Sequence, residues 1–89
     1  MTDTPLPDLP RLSRRFRLQY EDAQQAWVLL YPEGMVQLNH SAAEILKRCD
    51  GAHSLDGIVA DLETAFSVLG IGGQVRALLE EGSRRGWLD

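Results

Sequence analysis

Apolar and polar residues alternate from Phe16 to Tyr20, with Phe16, Leu18 and Tyr20 on one face and Arg17 and Gln19 on the other. A period of two predicts a strand with one buried face. The polar stretch Glu21 to Ala26 separates it from Trp27-Val28-Leu29-Leu30-Tyr31. This second run is apolar on both faces, rich in β-formers and too short for an ordinary helix, so it predicts the central strand. Pro32-Glu33-Gly34 supplies a turn: proline presets φ, and glycine admits a positive φ after it. The third strand is then Met35 to Leu38. Three strands on short connections form an antiparallel meander, which needs a helical layer over its apolar face.

Beyond Leu38 the apolar period lengthens to that of a helix. Ser41-Ala42-Ala43-Glu44 fits a capping box, with Asn39 as an alternative cap, and Ala42, Ile45, Leu46 and Cys49 recur at helical spacing. Asp50-Gly51 reads as the end of this helix, Gly51 taking the left-handed position. Ser54 caps a second helix with Leu55, Ile58, Val59, Leu62 and Phe66 on its apolar face. Gly70, Gly72 and Gly73 interrupt the pattern. A third helix follows from about Gln74 to Arg85, turning Val75, Leu78, Leu79 and Gly82 inward. Gly86-Trp87-Leu88 stops it and folds an aromatic plug onto the core. The expected fold is α+β and winged-helix-like, a three-stranded antiparallel sheet followed by three helices. Residues 1–11, with Pro5, Pro7 and Pro10, carry no period and read as a disordered proline-rich tail. Residues 12–89 read as a single domain.

Composition excludes more than it names. Eighty-nine residues allow one modest core, with no room for a cofactor domain beside a catalytic one. The net charge of −4 disfavours non-specific nucleic-acid binding. No apolar run approaches membrane-spanning length, and Met1-Thr2-Asp3-Thr4-Pro5 lacks the basic and apolar regions of a signal peptide, which points to the cytoplasm. The basic run Arg11, Arg14, Arg15 and Arg17 reads as a solvated lead-in to the first strand, with an anion- or partner-binding arm as the alternative.

Candidate chemistry is thin. His40, Ser41 and Glu44 offer a base, a nucleophile and a carboxylate, yet Ser41 and Glu44 already fit a helix cap. A metal site would need His40, His53 and Cys49 to converge with a carboxylate, and their spacing matches no recurrent zinc pattern. Cys49 falls on an apolar stripe, where cysteine packs as a small hydrophobe. Gly70-Ile71-Gly72-Gly73 lacks the Lys-Ser/Thr of a phosphate loop and follows a helix, so it reads as a helix–helix connection. No catalytic set, metal or cofactor is expected. What remains is an edge: the third strand is paired on one side, and an open edge beside a helix suits an extended peptide. The tail or a second copy of the chain would cover that edge equally well.

Leu29-Leu30-Tyr31-Pro32-Glu33-Gly34, then Leu38-Asn39 with Ser41-Ala42, Ile45-Leu46 and Cys49-Asp50-Gly51 together resemble the PqqD family. The match continues through Ile58-Val59 and Leu62 to Arg85-Gly86-Trp87-Leu88, and covers about Leu12 to Leu88. The order and spacing of these motifs carry the resemblance, since each alone is generic. It implies a non-catalytic peptide chaperone in pyrroloquinoline quinone (PQQ) biosynthesis. Such a chaperone binds the ribosomal precursor peptide PqqA and presents it to PqqE, a radical S-adenosylmethionine enzyme that cross-links a glutamate and a tyrosine of the peptide. It also implies that the peptide is held as an added strand between the third strand and the third helix. On this chain those positions are Met35, Val36, Gln37 and Leu38, with Val75, Arg76 and Leu79. No cofactor is implied, and a monomer is the default, with a strand-exchanged dimer as the alternative.

Two other classes compete with that reading. A winged-helix DNA regulator would need a basic recognition helix, whereas Arg76, Arg84 and Arg85 are offset by Glu80 and Glu81. An enzyme built on Cys49 would need an exposed, electropositive thiol.

Overall fold

The computed structural model describes residues 6–89. The chain runs β1 (Arg17–Glu21), β2 (Ala26–Tyr31), β3 (Gly34–Leu38), α1 (His40–Lys47), α2 (Leu55–Phe66) and α3 (Gly72–Arg84). The strands form one antiparallel sheet in the order β1-β2-β3, with β2 central. Leu29 sits opposite Leu18 on one side and Val36 on the other, which puts these three on the face that receives the helices. Leu29 is fully buried there, together with Ile58 of α2 and Leu79 of α3. Burying each such side chain is worth about 1.5–3 kcal/mol, so the helical layer and the sheet stabilise each other. Val28 is also fully buried although it lies on the opposite face, between Gln19 and Gln37. That explains why β2 is apolar on both sides.

Local chemistry sets the helix ends. Asn39, not Ser41, caps α1: its side-chain oxygen accepts the Ala42 N–H at 2.8 Å. The capping box does not form, because Glu44 is held by Lys47 and Arg48 at 2.8 and 3.0 Å. Ser54 caps α2 as expected, accepting the Gly57 N–H at 3.1 Å. α1 stops at Lys47, two residues short of Cys49, through tight bonds from Arg48 N–H to Ile45 and from Cys49 N–H to Leu46. Gly51 does have φ +81°, but its service is to another segment. Its N–H donates to the Pro10 carbonyl, and a Cβ there would stand 3.2 Å from Arg11.

That segment departs from the sequence reading of a tail over residues 1–11. Residues 1–5 lie outside the described residues, while Pro10 is fully buried and Arg11 is bridged to Asp50. Residues 10–13 form a strap between the end of α1 and the end of the chain. Leu12 N–H donates to the Cys49 carbonyl, Ser13 N–H to Trp87 and Asp89 N–H back to Arg11. Proline at position 10 withholds no bond from this ladder, since only its carbonyl is used.

α3 begins two residues before the predicted start, taking Gly72 and Gly73 into its first turn without a side-chain cap. Its far end is a Schellman motif. Gly86 has φ +79° and donates to Ser83, and Trp87 N–H reaches back to the Gly82 carbonyl at 2.8 Å. The turn lays the Trp87 ring against Gly82, where a Cβ would lie 3.2 Å from the ring. The aromatic plug is therefore real, and Gly82 makes room for it.

Candidate peptide-binding edge

The register of β3 decides which of its backbone groups are free. Tyr31 and Gly34 flank a two-residue turn and pair directly, so they exchange hydrogen bonds. Alternation then makes Val36 and Leu38 the remaining residues of β3 that bond to β2. Met35 and Gln37 aim their N–H and C=O groups away from the sheet, and no strand pairs with that edge among the described residues. Beside it a groove of about 230 Å³ runs between β3 and α3. Its β3 wall is Val36, Gln37 and Leu38, and its helical wall is Leu78, Glu81 and Arg85, with Asn39, Ala42 and Trp87 completing it.

The positions named from sequence divide accordingly. Met35 and Gln37 are exposed and supply the free backbone groups, while Val36 and Leu38 line the groove. Val75 and Leu79 do not reach the groove, because both are buried in the core. Arg76 falls on the opposite flank of α3, where it pairs with Glu80 at 3.8 Å. The helical wall belongs instead to a stripe one step round from the core: Leu78, Glu81 and Arg85, at i, i+3 and i+7. That spacing is visible in the sequence. The strongest apolar stripe, Val75-Leu79-Gly82, overrides it as the helix's most conspicuous face.

Among the described residues, the only charged groups lining this groove are Glu81 and Arg85, and they are bonded to each other. Hydrogen bonds from Arg85 and then Arg84 hold the Glu81 carboxyl below its usual range. Two guanidiniums share one carboxylate at this end of α3.

Nothing resembling an active site assembles elsewhere among the described residues. His40 packs edge-on against Phe66, and Glu44 is committed to Lys47 and Arg48. His53 pairs with Asp50 at 2.9 Å beside the start of α2, which lowers the Asp50 pKa. Cys49 is buried, its sulfur 3.5 Å from the Ile45 carbonyl. Burial, and secondarily the charge of Asp50, push the thiol up to about 12, so it stays protonated and unreactive at neutral pH. No group of three or more His, Cys, Asp or Glu among the described residues could hold a metal ion. No helix there is long and apolar enough to cross a membrane.

The family model described as "Coenzyme PQQ synthesis protein D (PqqD)" matches residues 26–88. The chain belongs to the PqqD family. A relative from Methylococcus capsulatus named "PqqA binding protein" is 49% identical over 83 residues, covering 92% of this chain and 89% of the relative. Another of that name, from Azotobacter vinelandii, is 49% identical over 90 residues, covering 100% of this chain and 98% of the relative. The fold is similar to the solution NMR structure of the PqqD truncation of Methylobacterium extorquens PqqCD. The TM-score is 0.74, the identity 25%, and coverage 100% of this chain and 99% of that one. That protein is described as a functional, stand-alone recognition element for a ribosomally synthesized and post-translationally modified peptide. The PqqD match accounts for the three-strand, three-helix order and leaves the contact residues to the geometry above.

Proposed function

We propose that this PqqD-family protein binds a PqqA precursor peptide as a fourth strand on β3 and presents it, unaltered, to PqqE. The observation that carries the reading is the free ladder of Met35 and Gln37 beside the α3 groove. Main-chain bonds there give affinity for any extended chain, and groove contacts with alternate side chains give selectivity. Names borne by full-length relatives support PqqA as the peptide. Chemistry on the peptide falls to the partner enzyme, because this chain's one thiol is buried and protonated. The cytoplasm is the compartment in which a ribosomal peptide and such an enzyme meet.

Titration of isotope-labelled protein with PqqA tests the site. Backbone amides of Met35 and Gln37 should shift most, with Leu78, Glu81 and Arg85 along the helical wall. Peptide mass should stay constant with this protein alone and change only when PqqE, S-adenosylmethionine and a reductant are added. Shifts confined to other faces would remove the strand-addition site, and a mass change without PqqE would make the protein an enzyme.

A further inference from the structure

A second, larger cavity of about 510 Å³ opens where α1 begins, α2 ends and α3 begins. Asn39, Ala42 and Leu78 line both this cavity and the β3 groove, so the two adjoin. The groove uses the C-terminal half of α3, through Leu78, Glu81 and Arg85, and the cavity uses the N-terminal half, through Gln74, Val75 and Leu78. A chain lying on β3 and continuing past Asn39 is therefore led from the groove into the cavity. The walls combine apolar Leu62, Phe66, Val68, Ile71 and Leu78 with polar Asn39, His40, Ser41, Glu44 and Gln74 at the starts of α1 and α3. Phe66 and Val68 stay 44% and 39% exposed at its mouth, surface that an apolar occupant would remove from water.

The cavity is formed in advance. Glu63 holds its outer loop, accepting the Val68 N–H on its carbonyl at 3.1 Å and the Gly70 N–H on its carboxylate at 2.9 Å. His40 packs edge-on against Phe66, centroid to centroid 5.9 Å, and ties α1 to α2. Its volume is several times the ~150 Å³ that accommodates a benzene ring.

Resting on the strand-addition reading, we propose that this cavity is a specificity pocket for one large aromatic or aliphatic side chain of the bound peptide, located just outside the paired strand. The strand contributes affinity common to extended chains, and the pocket selects the register in which the peptide is held. Continuity with the open edge favours the peptide over a second copy of the protein as occupant.

The test uses Gln74→Trp, an exposed mouth residue that would fill the cavity, and Phe66→Ser, which removes one wall. Full-length PqqA is the probe, with variants in which each large apolar residue is changed to serine. Both protein variants should bind PqqA at least about tenfold more weakly with unchanged circular dichroism. One peptide substitution should cost the same factor on wild-type protein and nothing further on Gln74→Trp. Should Gln74→Trp misfold, Phe66→Ser alone carries the comparison. Full affinity of a folded cavity variant, with Gln37→Pro still defective, would overturn the pocket and leave strand addition standing. Full affinity of folded Gln37→Pro as well would overturn both. A wild-type dimer that Gln74→Trp converts to monomer in sedimentation would give the cavity to a second copy and refute the proposal.

Discussion

Proline substituted at two neighbouring positions of β3 should produce opposite failures. Val36 bonds inward to Leu29, which is fully buried, and Gln37 faces outward opposite Val28. Val36→Pro deletes a ladder bond and leaves the Leu29 carbonyl without its donor, a cost of about 1–3 kcal/mol. Poorer packing at Val36 adds roughly 1 kcal/mol. The sum, about 2–4 kcal/mol, is a large fraction of the roughly 4–13 kcal/mol expected for a domain of this length. With a urea slope near 1–2 kcal/mol/M the midpoint should fall by at least about 1 M. Gln37→Pro removes a donor that the sheet does not use, and proline's demand for an extended predecessor is already met by Val36. Its stability should stay within about 1 kcal/mol of wild type. Its affinity for PqqA should drop by about 1 kcal/mol, roughly fivefold, for the bond no longer made. Urea unfolding and peptide titration on the same samples read both effects. Reversed stabilities would mean the register is wrong, and folded Gln37→Pro with full affinity would refute strand addition at this edge.

Cys49→Ala should cost about 1 kcal/mol in urea unfolding and leave PqqA affinity unchanged, and native Cys49 should resist alkylation at pH 8 until the protein is unfolded. Gly82→Ala sets a helix gain of about 1 kcal/mol against a Cβ 3.2 Å from the Trp87 ring. Because that ring is buried and pinned by the turn at Gly86, a net loss of about 1–2 kcal/mol is expected, with a change in tryptophan fluorescence. Hydrogen bonding from Lys47, and then from Arg48, lowers the Glu44 pKa from its ordinary 4.5. A depressed carboxylate contributes stability above its unfolded-state pKa and loses it as pH falls through the folded value. The stability difference between wild type and Glu44→Gln should therefore be full above about pH 5 and shrink on acidification, as followed by thermal melts from pH 7 to 3.

The strands are legible as elements and the helical core as a period, although Tyr20, read onto the buried face of β1, is exposed and Gln19 half-buried. Ile58 and Leu79 lie where the 3.6-residue pattern puts them, Leu29 lies in the run that is apolar on both faces, and each is fully buried. What the pattern misjudged was decided by partners distant in sequence. Gly51 reads as a helix stop, yet its left-handed backbone serves Pro10 and Arg11, some forty residues away. Pro10 reads as tail for the same reason: its burial depends on α1 and the chain end, which no local period reports. At the candidate edge the pattern locates β3, but the α3 positions it names, Val75, Arg76 and Leu79, centre on the stripe of Val75 and Leu79. In a helix on a small sheet that stripe is consumed by the core. A groove is lined by the next stripe round, here Leu78, Glu81 and Arg85, where polar and apolar residues mix.

The strap at residues 10–13 brings the chain's entry and exit together, since Leu12 pairs with Leu88 and Arg11 bonds to Asp89. Topologically the domain is nearly a ring with a single seam. A domain fused ahead of the strap or after Asp89 would hang from the same place, so the choice of end should barely alter how the fusion stands relative to β3. A circular permutant joined across that seam and reopened in the Asp22–Gln25 turn would keep every strand pairing and move both termini to the turn between β1 and β2.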